Sequence, residues 1–205
     1  MRSLHLLFAF ATLVIVGAVV NDSYRHSRDY VSSLAGRGVE QPWIGMLGFA
    51  CFAAAHAVAA MRWRRTSRIV FATLLACCAL ILVVAAARSS CPGGAAGCSL
   101  PDRPSVTDVG DAIHALGIGV YVVAYVFAAI CAGVVLVRRR HRWLGVTMFL
   151  LAVLSVLAVG QIDEQSPGAE QRIWLAVNAV GLVALGGFAA SAAARDPRSA
   201  EETGD

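Results

Sequence analysis

The chain has 205 residues, 58% of them hydrophobic and 15% charged, with a mean hydropathy of +0.69. Soluble domains average about 45–50% apolar and about 25% charged residues. The surplus excludes a disordered chain, a basic nucleic-acid-binding domain and an ordinary soluble enzyme. The formal net charge of +4, with every basic residue an arginine, is too small and too spread out to point to nucleic acid.

Six apolar runs follow one another along the chain: 4–20, 43–61, 69–87, 113–137, 143–160 and 173–194. Each approaches or exceeds the ~20 residues that cross ~30 Å of hydrocarbon as a helix. In lipid the backbone must satisfy its own hydrogen bonds within the segment, and the alternating ten-residue pattern of a barrel is absent. The expectation is an all-α fold, a single domain over 1–194 built as a six-transmembrane-helix bundle. Residues 195–205 read as a polar, disordered cytoplasmic tail. The first run follows Met1-Arg2 but no Ala-x-Ala site follows it, so it reads as a retained helix rather than a signal peptide.

Charge sets the expected orientation. Arg62, Arg64, Arg65 and Arg68 lie between runs two and three; Arg138, Arg139, Arg140 and Arg142 lie between runs four and five. The positive-inside rule makes both loops cytoplasmic and places both termini inside. The inner segments then carry a net charge of +7 and the outer ones −3. Trp43, Trp63, Trp143 and Trp174 all fall at run ends, where an amphipathic ring suits the interface. In the first outer loop, Tyr30, Val31 and Leu34 share one face of a short helix expected to lie on the membrane surface.

Polar residues that survive in this apolar background are the candidates for chemistry. Cys91 and Cys98 bracket a Gly-rich outer loop on the oxidising side, which predicts a structural disulfide; they lack the Cys-x-x-Cys spacing of a redox pair. Two cysteines without a nearby histidine do not complete a zinc site, so no metal is expected. Asp111, His114, Ile118, Tyr121 and Tyr125 recur at helical spacing and line one face of the fourth run. Gln171, Trp174, Asn178, Gly181 and Ala184 do the same on the sixth, where small residues and an amide suit helix packing. Glu170 and Arg172 at its outer mouth read as solvated charges. Ser32 or Ser33, with His114 and Asp111, has the composition of a nucleophile, base and orienter, although no Gly-x-Ser-x-Gly turn supports it. His56 reads as a hydrogen-bonded core residue with Tyr125 or Asn178 as its partner. It lies too deep relative to His114 for both to ligate one haem, so no cofactor is expected.

Three stretches together resemble a known family. They are Asp29-Tyr-Val-Ser-Ser-Leu-Ala-Gly-Arg-Gly running into Pro42-Trp43, then Gly110-Asp-Ala-Ile-His114, then Gly168-Ala-Glu-Gln-Arg172. In order and common outward side they resemble the six-helix bacterial and archaeal membrane family known as domain of unknown function 998. The resemblance covers nearly the whole chain and implies the fold and topology, but no activity. The family's polar motifs fall near Ser32, Ser33, Asp111, His114, Gln171 and Arg172. The Cys91–Cys98 loop stands here where a carboxylate is commoner in the family.

Three functions fit. One is a non-catalytic protein that binds membrane lipids or another membrane protein, or self-associates, at the extracytoplasmic leaflet. A second is a membrane-embedded hydrolase or transferase for a lipid or lipid-linked substrate, with Asp111, His114 and Ser33 as catalytic residues. On either reading Asp29, Ser32, Tyr121, Tyr125, Gln171, Arg172 and Asn178 are the expected ligand contacts. The third is a small transporter, against which stands the lack of a Gly/Pro-broken helix midpoint. The sequence leaves open whether the protein is an enzyme.

Overall fold

A computed structural model describes residues 2–88, 109–162 and 167–189. The Cys91–Cys98 loop, the end of the last apolar run and the C-terminal tail lie outside the described residues.

Helices are the regular structure of the described residues, with no strand among them. Six α-helices follow in order: α1 (Arg2–Val20), α2 (Pro42–Trp63), α3 (Arg68–Ala86), α4 (Val109–Arg138), α5 (Arg142–Gly160) and α6 (Pro167–Ala184). A 3-10 helix, Val31–Ala35, sits between α1 and α2, and α6 runs on into a π-helical turn, Leu185–Ala189. Five of the helices, α1 to α5, are long and apolar enough to cross a membrane. Glu170, Gln171, Arg172 and Asn178 dilute the apolar character of α6, which nevertheless runs alongside the others.

Local signals explain several boundaries. Pro42 occupies the first turn of α2, where its missing N–H costs nothing. Ser67 caps α3, its Oγ accepting from Val70 N at 3.4 Å. α4 ends in a Schellman pattern: His141 N donates to Leu136 O and Arg140 N to Val137 O, with Arg140 in the left-handed region at φ 67°.

Consecutive helices pack antiparallel. Phe10 stacks on Phe52 at 4.9 Å, while a Cβ on Gly17 would touch Ile44, so α1 and α2 run in opposite senses. Val84 near the end of α3 meets His114 and Gly117 near the start of α4. α4 crosses α5 at two glycines; a Cβ on Gly145 would stand 2.9 Å from Gly133 O, so only small residues allow this approach. α6 rests on α5 and also reaches α1, α2 and α4. Both arginine-bearing connections, α2–α3 and α4–α5, therefore lie at one end of the bundle. The first loop and the start of α6 lie at the other.

Large apolar side chains such as Phe8, Leu116, Val123, Leu150 and Leu157 face outward, as lipid-facing residues do. The tryptophans divide. Trp43 and Trp143 are exposed, but Trp63 and Trp174 are buried and spend their indole N–H inside, on Leu185 O (2.9 Å) and Ser155 Oγ (3.2 Å). The short helix Val31–Ala35 also departs from its expected surface position. All five of its residues are buried against α2, with Leu34 seated on Gly45; a Cβ there would lie 2.5 Å from the Leu34 carbonyl carbon.

Candidate functional site

The described polar side chains gather in two places. The first is a cap formed by the loop after α1 on the N-terminal end of α6. Asn21 ties the loop's two ends together: its Nδ2 donates to Gly17 O (2.6 Å) and its Oδ1 accepts from Gln41 N (3.2 Å). Arg172 of α6 holds the middle. Its Nη1 donates to the carbonyls of His26 and Gly168, the latter at 2.7 Å, and its Nη2 donates to the Tyr24 hydroxyl. The guanidinium also lies 5.5 Å from the Tyr24 ring centre. Tyr24 OH passes its own proton to Asp29 O (3.2 Å), and the Asp29 carboxylate accepts from Arg25 N (2.5 Å). Burial pushes the Tyr24 phenol above its ordinary value, against the lowering pull of Arg172. Next to Arg172, Gln171 Oε1 accepts from Val31 N at 2.6 Å and so positions the buried 3-10 helix. Gly168 admits the loop backbone, since a Cβ there would stand 2.7 Å from His26 O.

The second cluster lies inside the bundle, among α2, α4, α5 and α6. His56 is fully buried; its Nδ1 bonds Phe52 O (2.9 Å) and its Nε2 faces Tyr121 OH (3.2 Å). That geometry puts the ring proton on Nδ1 and makes Tyr121 the donor. Tyr125 OH donates to Asn178 O (3.0 Å). Ser155 Oγ donates to Asn178 Oδ1 (3.1 Å) and accepts from Trp174 Nε1, while Asn178 Nδ2 donates to Trp174 O (2.7 Å). Tyr121 joins the two halves through edge contact with Trp174 and stacking on Tyr125, with ring centres 5.9 and 6.0 Å apart.

The structure distributes the sequence candidates between these clusters. Asp29, Gln171 and Arg172 belong to the cap; Tyr121, Tyr125 and Asn178 to the interior. Ser33 is buried and donates to Tyr30 O at 2.5 Å. His114 Nδ1 donates to Val84 O at 3.3 Å, and the Asp111 carboxylate lies 3.8 Å from Arg37, with the Arg37 side chain half exposed. Ser33, His114 and Asp111 thus each have a different partner and do not form a hydrogen-bonded triad. Ser32 Oγ is buried with no hydrogen-bond partner among the described residues. Cys91 and Cys98 lie outside the described residues, and the other four cysteines are thiols. Among the described residues no three His, Cys, Asp or Glu side chains converge as a metal site would require.

Two expectations change. Arg172 is a clamp on the loop rather than a solvated charge. His56 bonds Tyr121 and meets Tyr125 only edge-on, at 6.2 Å between ring centres. Tyr24, His26 and Ser155 complete the two clusters without having stood out in the sequence. Ser155 carried one signal, a hydroxyl on the same helical face as Met148 and Ala152.

No curated protein and no solved structure matches the chain. A family model does, over residues 6–187, nearly the whole of the described helical bundle. The chain therefore belongs to the family described as protein of unknown function (DUF998).

Proposed function

We propose that the chain is a six-span bacterial plasma-membrane protein with both termini cytoplasmic. It acts without catalysis, binding lipid or another membrane protein at the extracytoplasmic leaflet. The observation that carries this reading is the commitment of the candidate catalytic groups to structural bonds. Ser33 spends its proton on Tyr30 O, His114 bonds Val84 O, and Asp111 faces Arg37. A general base must be within hydrogen-bond reach of the group it activates. What the cap offers instead is a folded outer surface with Arg25, Arg28, Tyr30 and Arg37 exposed on it. Apolar α6 flanks and the buried course of α6 against α2, α4 and α5 support a sixth span, despite its polar first turn.

One observation favours the hydrolase or transferase reading: the unpartnered buried hydroxyl of Ser32. Two measurements separate the readings. A photo-crosslinking residue in place of Tyr30, in cells, is expected to capture a lipid or a membrane protein. Purified protein is expected to show no turnover of phospholipid or lipid-ester substrates that Ser32→Ala, Ser33→Ala or His114→Ala abolishes. Turnover lost in those variants, or the absence of any Tyr30 adduct, overturns the non-catalytic reading.

A further inference from the structure

The opposite end of the bundle carries a second surface, which does not rest on the outer-face reading. Arg64, Arg65 and Arg68 on one connection, and Arg138, Arg140 and Arg142 on the other, are all exposed. None of the six makes an ion pair or side-chain hydrogen bond among the described residues. The described acids Asp22, Asp29, Glu40, Asp111 and Glu170 all belong to the other end, so no carboxylate among the described residues neutralises these guanidiniums. Trp143 and Ile69 stand exposed beside them, at the level where a ring meets lipid headgroups. An open groove of about 540 Å³ runs along α2 into the same end, lined by Ala57, Val58, Met61 and Arg62.

Arg140 adds an independent clue. It occupies the left-handed position that closes α4, where glycine is the ordinary choice because it has no Cβ. Arginine at this point gives up backbone stability and places a guanidinium at the tip of the helix. Topogenic charge alone explains arginines near the helix ends. It explains neither an arginine at a glycine position nor an apolar groove that ends on Arg62.

We infer that this end holds anionic phospholipids of the adjacent leaflet, their phosphates on the guanidiniums of the two connections and an acyl chain of one in the α2 groove. Arginine suits this ligand because its planar fork donates two parallel hydrogen bonds to phosphate oxygens. A cluster of basic residues just outside a span also draws anionic lipid through the surface potential.

Native mass spectrometry of the purified full-length protein tests this, with phosphatidylglycerol and phosphatidylcholine of identical acyl chains as the probes. Phosphatidylglycerol adducts are expected at lower lipid concentration than phosphatidylcholine adducts, and to weaken as salt rises from about 0.1 to about 0.5 M. Arg140→Gly is expected to weaken phosphatidylglycerol binding about fivefold, while the lipid-free melting temperature stays the same or rises. Arg140→Lys is expected to restore only part of the binding, since an ammonium keeps the charge but not the two-donor fork, and Arg62→Gln to lose it in part. A residue that merely capped the helix would change the melting temperature without changing lipid preference. Equal binding of the two lipids, or unaltered phosphatidylglycerol binding in both Arg140→Gly and Arg62→Gln, overturns the inference.

Discussion

Gly181 gives the sharpest test of how α4 and α6 are held together. The Tyr125 hydroxyl reaches Asn178 O by crossing the place where a Cβ of Gly181 would stand. Behind the hydroxyl, the ring's Cζ would lie 3.3 Å from that Cβ, so the ring itself nearly fits. Gly181→Ala must then push a fully buried tyrosine out of position. Overpacking costs about 1–3 kcal/mol, offset by about 1 kcal/mol from alanine's better helix propensity, which leaves roughly 0–2 kcal/mol of destabilisation. Tyr125→Phe alone loses one buried hydrogen bond, about 1 kcal/mol. If the hydroxyl is the clash, the double variant is less destabilised than the sum of the two by about 1 kcal/mol or more. Thermal melting in detergent reads this, at about 2–4 °C per kcal/mol for a chain of this size. A double variant destabilised by the full sum of the two single variants would refute the packing argument.

Other expectations follow from the cap and its neighbours. Arg172→Ala frees the Tyr24 hydroxyl and the His26 and Gly168 carbonyls at once, so tryptic cleavage at Arg25 and Arg28 is expected to accelerate. Arg172→Lys should not restore protection, because one ammonium cannot span three acceptors. Gly45→Ala places a methyl group 2.5 Å from the Leu34 carbonyl carbon and 2.7 Å from Ala35 N, backbone that cannot swing aside. It is expected to cost more than about 2 kcal/mol, more than Gly181→Ala, and an unchanged melt would show that the 3-10 helix is not seated there. Burial raises the Tyr24 phenol above the ordinary tyrosine value of 10.0. Its stabilising effect is complete below pH 10 and is lost as pH rises through the higher folded value, because the unfolded chain releases the proton first. Phenolate absorbance should therefore come in later for wild type than for Tyr24→Phe plus one free tyrosine. The disulfide expected from the sequence predicts that Cys91 resists alkylation until reductant is added, and equal labelling with and without reductant counts against it.

The helical elements were legible because lipid imposes a strong rule on sequence. Backbone that cannot bond to water must be helical, and the apolar runs mark where. Boundaries shifted where polar residues do helical work. α6 starts at Pro167, ahead of the apolar run at Ile173, because Gln171 and Arg172 are turned toward the loop rather than toward water. The inward turn of Trp63 was hidden for a different reason. A tryptophan at the end of an apolar run suits the interface equally well, and only the π-helical turn in α6 supplies the Leu185 carbonyl that draws it inside. Of the face expected from Tyr30, Val31 and Leu34, Val31 and Leu34 are buried together while Tyr30 stands exposed at the cap. Sequence gave no sign of what that face meets, since the receiving feature is the absence of a side chain at Gly45.

The candidate site was harder to read because polar residues inside a membrane bundle have two uses that look alike. Between helices in lipid the hydrophobic drive is weak, and association relies on close packing and on interhelical hydrogen bonds averaging about 0.6 kcal/mol and reaching about 1.7 kcal/mol. A six-helix assembly therefore needs a few polar groups at fixed registers simply to choose its neighbours. His56 with Tyr121, Tyr125 with Asn178, and Ser155 with Asn178 and Trp174 meet that need across α2, α4, α5 and α6. The stripe on α4 that suggests chemistry at Asp111 and His114 is continuous in sequence with the one that locks the bundle at Tyr121 and Tyr125. Spacing alone cannot divide it. Partners do: a hydroxyl or imidazole whose bonds are all spent on neighbouring helices is bound to architecture. A group kept at structural cost without such a partner among the described residues, as Arg140 is, is the place to look for a ligand from outside the chain.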